Sequence, residues 1–206
     1  DNTRSRGLGD VYKRQGPGGL SAAIASARCG VKTTLLERFG CFGGNITVVG
    51  VEGFAWYRHE KTVEAGGIGR EFEELAKEMD AAVPESQSLS YELDSEGFKL
   101  VADKLVMDSG IHPMLHRSFS MPIMEGNTVI GVIVESKAGR EAILSKVVID
   151  ATGDADVAFR AGAQLNTMPV EELMATSVMF HLAGVDKKAF LSEIQNNPQS
   201  YKDWSD

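Results

Sequence analysis

The sequence has few cysteines, no surplus of positive charge and no long apolar run, and each shortage removes a class of function. Its two cysteines, Cys29 and Cys41, form no CxxC pair. They suit a reducing cytoplasmic setting with free thiols better than a disulfide framework. Lys and Arg number 21 against 29 Asp and Glu, a formal charge of −8. A nucleic-acid or anionic-membrane surface would need a basic patch instead. No stretch approaches the roughly 18 apolar residues of a membrane span. Residues 1–15 are polar and basic and carry no apolar signal-peptide core.

What remains is ordinary globular material, 43% hydrophobic and 24% charged over 206 residues. That is enough for one domain, or one and a half, with a real core. The opening "DNTRSRGLGDVYKRQ" (1–15) shows neither a period of 2 nor of 3.6, and its "DVYKRQ" resembles translated adaptor sequence. Residues 1–15 are therefore read as a non-native tail and set aside from the fold. The tail "NNPQSYKDWSD" offers no closing element, so the chain reads as the front part of a longer protein.

The informative stretch is "RQGPGGLSAAIASARCGVKTTLLER" (14–38). A dinucleotide turn has the form G-x-G-x-x-G between a strand and a helix. Its glycines permit the tight turn, the approach of pyrophosphate to backbone, and close helix–strand packing. In that register Gly16 is the second glycine and Gly19 the third, while Arg14 stands at the first. Pro17 has the fixed φ that starts a helix, and Gly18 keeps a Cβ away from a phosphate. The helix N-terminus then offers free N–H groups and partial positive charge to an anion. The acid expected at the end of the next strand, about 20 residues on, is Glu37, placed to accept from ribose hydroxyls. Read alone, such a truncated glycine run more often marks a simple turn.

Periodicity predicts the elements around it. Leu20, Ala23, Ile24 and Ala27 share one helical face within 19–29, and 31–37 is a buried strand. The loop 38–45 is glycine-rich, and 46–57 reads as an irregular strand running past a ligand. Two amphipathic helices come next, over 68–81 and over 95–110 with Ser95 as cap and Gly110 as stop. A Pro-marked strand at 112–124 leads into a hairpin of 128–135 and 141–151. Residues 152–163 turn into a short helix, and 175–185 read as one more strand. At 146–163, "KVVIDATGDADVAFRAGA", a buried strand ends in small residues that let backbone approach a ligand in the crevice. The plain alternative is a strand–turn–helix with Asp154 as N-cap.

Together "GPGGLSAAIASARCGVKTTLLER", "GCFGGN" and "VIGVIVESKAGREAILSKVVIDATGDADVAFRAGA" resemble the FAD-dependent oxidoreductases, within the superfamily that includes fumarate reductase and glutathione reductase. The resemblance runs over residues 16–185. It implies an α/β, Rossmann-like FAD/NAD(P)-binding domain with a central parallel sheet and a β-meander, here incomplete. The FAD-binding domain would span 16–163, with inserted helices at 68–110, and 164–206 would begin a substrate or cap region. By the resemblance, Gly16, Pro17, Gly18 and Gly19 meet the FAD pyrophosphate and Glu37 the adenosine ribose. Arg38 lies beside the adenine half, and Gly43, Gly44 and Asn45 pass the ribityl–flavin end. Backbone near Phe119 meets adenine, and Thr152, Gly153 and Asp154 close over the dinucleotide. The flavin would act on a small-molecule substrate, with no nucleic-acid or membrane partner.

The family has an apolar first strand where this chain has Lys13, Arg14 and Gln15. Two rival readings arise: a nicotinamide-dependent dehydrogenase using the same turn, or a non-catalytic fragment unable to hold its cofactor. Cys41 would need a partner thiol for redox work, and Cys29 lies on a helix expected to pack elsewhere. Arg58, His59 and Glu60 in "WYRHE", and His181 in "MFHLAG", read as solvated or packed positions. His112 and His116 are separated by Pro113, against a helical metal pair. No catalytic acid, base or metal ligand is assigned.

Overall fold

The computed structural model describes residues 9–13, 16–54, 58–59, 62–63, 66–84, 90–173 and 176–200. The chain divides into two compact units, Asp1–Met168 and Pro169–Asp206.

In the first unit, β1 (Gly9–Lys13) leads to α1 (Pro17–Arg28) and β2 (Thr33–Leu36). A long excursion comes after β2: β3 (Gly53–Phe54), β4 (Arg58–His59), β5 (Thr62–Val63), α2 (Ile68–Glu78), β6 (Ala82–Pro84), β7 (Tyr91–Leu93) and α3 (Ser95–Asp108). The chain then returns through β8 (His112–Met114), β9 (Ser118–Glu125), β10 (Thr128–Ser136) and β11 (Gly139–Asp150), and ends in α4 (Asp156–Arg160). The main sheet has the order β8-β2-β1-β11-β10-β9. β8, β2, β1 and β11 run parallel, whereas β10 and β9 are antiparallel and form the meander.

The patternless opening segment thus supplies the strand between β2 and β11, with Val11 opposite both Thr34 and Val148. Residues 1–8, Arg14 and Gln15 lie outside the described residues. Val11 and Tyr12 are the only apolar residues of this strand, too few to mark it in the sequence, but its two neighbours supply the ladder on both sides.

The core has two layers because β2 alternates its faces. Leu35 joins Leu20, Ala23 and Ile24 of α1, Phe72 of α2, and Phe98, Val101 and Ala102 of α3. The Phe72 and Phe98 rings meet at a centroid distance of 5.6 Å. Leu36, on the other side, packs with Val132, Val134 and Val157. The helices at 17–28, 68–78 and 95–108 fall where apolar periodicity predicts them. The α3 cap is Asp94, which accepts from Glu96 N–H at 3.0 Å; Ser95 is the first helical residue instead.

Two expected strands differ. Within 46–57, Asn45–Val49 winds into a π-helical turn, held between left-handed Gly44 and Gly50, before β3. Residues 55–57 lie outside the described residues. In the second unit, no strand forms over 176–185, where Val178, Phe180 and Leu182 are exposed. An apolar run with strand character marks fitness for a pleated, half-buried surface, and residues 176–185 pair with no strand among the described residues. That unit instead contains α5 (Lys187–Asn196), capped by the Asp186 carboxylate, which accepts from the Lys188 and Ala189 N–H groups. Among the described residues no helix is long and apolar enough to cross a membrane.

β10 approaches β11 so closely at Gly131 that a Cβ there would collide with the Ile143 carbonyl oxygen and Leu144 Cα. Gly131→Ala is expected to cost about 1–3 kcal/mol of stability through overpacking. Urea denaturation measures this; an unchanged midpoint would show that the two strands part without cost.

Candidate functional site

Parallel strands end on one side of their sheet, so the loops after β1, β2 and β11 gather at one edge. There lies a cleft of about 530 Å³. Gly16, Gly18 and Gly19 bring the start of α1 to it, Glu37 and Arg38 the end of β2, and Thr152 and Gly153 the loop after β11. Gly44 and Asn45 line it from the glycine-rich loop, along with Val48 and Val49 of the π-helical turn. Most of the residues singled out in the sequence therefore border one space.

Four of them do not line it. Pro17 sits within the first turn of α1. Gly43 is buried, with φ +111°, and a Cβ there would stand 2.5 Å from the Thr47 side chain. Its role is to let the loop close over Thr47, whose hydroxyl donates to the Phe42 carbonyl at 2.7 Å. Phe119 packs into the apolar layer of Val132 and Val134. Asp154 is exposed.

The α1 end of the cleft is electrostatically open. No side chain caps Gly16, and the first turn carries no acidic residue. A Cβ at Gly16 or Gly18 would meet nothing within 4 Å, so these glycines keep space for something outside the protein's own packing. Across the cleft Glu37 is 1% exposed, and its Oε1 accepts from Phe39 N–H at 2.9 Å. Backbone bonds pin this corner: Glu37 N–H donates to Met114 O at 3.0 Å, and Arg117 N–H donates to Glu37 O at 2.8 Å. Arg38 extends over the Phe39 ring, 4.3 Å from its centroid. An uncapped helix start facing a fixed carboxylate suits a ligand carrying phosphate at one point and hydroxyl donors at another. Such donor and acceptor chemistry fits a dinucleotide.

The FAD dependent oxidoreductase family matches residues 15–205. The chain belongs to this family. FAD is the family's cofactor, and the fold is the α/β Rossmann-like one of FAD/NAD(P)-binding flavoproteins. The thiamine thiazole synthase of Metallosphaera sedula is 32% identical over 153 residues, covering 69% of this chain and 53% of that protein. The Saccharolobus solfataricus synthase is likewise 32% identical over 153 residues, 69% of this chain and 54% of the relative. The chain thus spans about half the length of the curated relatives it matches. Among solved structures, Thermovibrio ammonificans THI4 superposes with a TM-score of 0.54 at 18% identity, covering 74% of this chain and 60% of that one. The flavin-dependent brominase Bmp2 gives 0.55 at 20% identity, covering 75% and 40%. At such identities the likeness is one of fold.

Arg58 and His59 form β4, and Glu60 lies outside the described residues. His112 is in β8, His116 has a left-handed backbone (φ 54°), and His181 is exposed. Cys29 is exposed, Cys41 half-buried, and both are free. Among the described residues no group of three or more His, Cys, Asp or Glu could hold a metal.

Sequence reasoning passes over Asp150, the last residue of β11, which also lines the cleft. Its Oδ1 accepts from Thr152 N–H at 3.0 Å, and its Oδ2 from the Val157 and Ala158 N–H groups, both at 2.9 Å. The one signal for it is an acid closing the apolar run "KVVID". Burial works to raise its pKa, but the Ala158 N–H, the Thr152 hydroxyl and N–H, and the Val157 N–H outweigh it, and the net shift is downward. A lowered folded-state pKa adds stability above the unfolded value, which is lost as pH falls through the folded one. The stability gap between the native chain and Asp150→Asn should therefore be full near neutrality and close below the ordinary aspartate value of 3.8. Thermal midpoints across that range test this; a gap that stays constant in acid would contradict it.

Proposed function

We propose that the chain is the nucleotide-binding part of a flavin-dependent oxidoreductase and holds FAD in the cleft beside α1. One observation carries the reading: the helix start at Gly16–Gly19, acid-free and without a side-chain cap among the described residues, lines the same cleft as the buried Glu37. In this reading the α1 amides take the pyrophosphate and Glu37 accepts from the adenosine ribose. Gly44, Asn45, Val48 and Val49 border the ribityl–flavin half, and Thr152 and Gly153 close over the dinucleotide. When bound, FAD supplies the hydride or electron transfer. The protein's share is to bind it, orient it and keep water from one face. The substrate is a small molecule, and the two free thiols suit a reducing cytoplasmic setting.

The names of the curated relatives favour a second reading, a biosynthetic synthase built on the same nucleotide-binding fold. A nicotinamide dinucleotide in the same turn is the further alternative. Identifying the dinucleotide that stays with the chain separates these cofactors. FAD supports the proposal, NAD transfers the site to a nicotinamide, and retention of neither leaves a fragment that cannot hold a cofactor.

After incubation with FAD and desalting, the chain is expected to keep visible flavin absorption. Glu37→Gln and Glu37→Ala should weaken FAD binding by about 1.5–3 kcal/mol, roughly ten- to hundredfold, through loss of hydrogen bonds to a charged acceptor. Titration of flavin fluorescence measures the effect. Equal affinity in all three chains would remove Glu37 from the site.

A further inference from the structure

Two helix N-termini stand at the cleft, and the chain treats them in opposite ways. That of α1 is left without a side-chain cap. That of α4 is closed from six residues upstream: Asp150 Oδ2 accepts from both Val157 and Ala158 N–H. Asp156 N–H, at the first position of α4, donates to Thr152 Oγ1 at 2.8 Å. Asp150 Oδ1 meanwhile accepts from Thr152 N–H. These bonds staple both ends of the segment 151–155, of which Ala151, Thr152, Gly153 and Ala155 line the cleft.

Within the staple the backbone takes an uncommon path. Gly153 has φ +88°, and Ala155 has φ +56° and ψ +39°, a left-handed conformation that an L side chain disfavours. Such a shape persists only where its surroundings over-determine it. Asp150 supplies that determination. Its carboxylate oxygens accept from backbone amides at both ends of the segment and from the Thr152 hydroxyl.

We propose that Asp150 is a positioning residue for the dinucleotide: it locks 151–155 in its ligand-ready shape. The proposal rests on the FAD reading of the cleft. Asp150 acts through the loop, whose ends its carboxylate holds.

The test uses the full chain, native and as Asp150→Asn, Asp150→Ala and Asp150→Asn with Ala155→Gly. FAD affinity comes from flavin fluorescence, loop order from amide hydrogen exchange over 151–158, and fold integrity from exchange in α1 and α3. With the lock gone, the competent loop becomes a minority state, and apparent affinity falls by that fraction, about tenfold for Asp150→Asn. Asp150→Ala, which loses every acceptor, should fall further. Exchange should speed up at Val157 and Ala158 while α1 and α3 keep their protection. Glycine at 155 takes the left-handed conformation freely, so it should recover part of the lost affinity. A merely structural role would lower protection in α1 and α3 together, with no recovery from Ala155→Gly, and would overturn the proposal. So would unchanged FAD affinity in Asp150→Asn, or undiminished protection at Val157 and Ala158. If the native chain takes up no FAD, the cleft reading itself fails and the role of Asp150 falls with it. Native binding with an indifferent Asp150→Asn overturns the role of Asp150 alone.

Discussion

The architecture of the first unit depends on the parallel ladder of β8, β2, β1 and β11. Parallel pairing fixes direction as well as neighbourhood, so the segments leaving β1, β2 and β11 must emerge on one side. The helix start, the Glu37 corner and the Ala151–Ala155 loop are consequently neighbours in space, although the loop lies more than a hundred positions beyond the other two. The α2–α3 excursion and the meander serve this edge in different ways. The first extends the apolar layer against which α1 is held. The second delivers β11 alongside β1 in the direction the ladder requires.

Legibility in the sequence tracks the range of the forces involved. The helices at 17–28, 68–78 and 95–108 can be read because an apolar face repeats locally and glycines or caps mark the ends. The hairpin of β10 and β11 is readable for the same reason. The first strand is not, since Gly9–Lys13 holds only Val11 and Tyr12 as apolar residues and owes its structure to β2 and β11. At 176–185 the mismatch runs the other way: the apolar run looks like a strand, but it pairs with no strand among the described residues. The π-helical turn at Asn45–Val49 escapes because its cause is a set of left-handed glycines whose φ values no composition rule supplies.

The candidate site divides along the same line. Gly16, Gly18, Gly19 and Glu37 belong to a short motif in which spacing carries the geometry. Asp150 and Asp154 show where such rules fail. A local capping rule favours the acid nearest the helix start, which points to Asp154. The fold brings Asp150 back over the loop instead, with left-handed Gly153 and Ala155 turning the chain ahead of α4. Phe119 is attached to the site by resemblance alone, and its ring lies in the apolar layer with Val132 and Val134.

The alternation of Leu35 and Leu36 has a consequence for how the chain tolerates change. These adjacent residues anchor different layers, one beneath the helices and the other beneath the meander. A strand shifted by one residue would send each to the opposite side. The insertion or deletion of a single residue within 33–36 would therefore turn two cores inside out at once and carry Glu37 off the cleft. Whole loops of the long excursion can lengthen or shorten in evolution, while these four positions admit substitution but not a change of count.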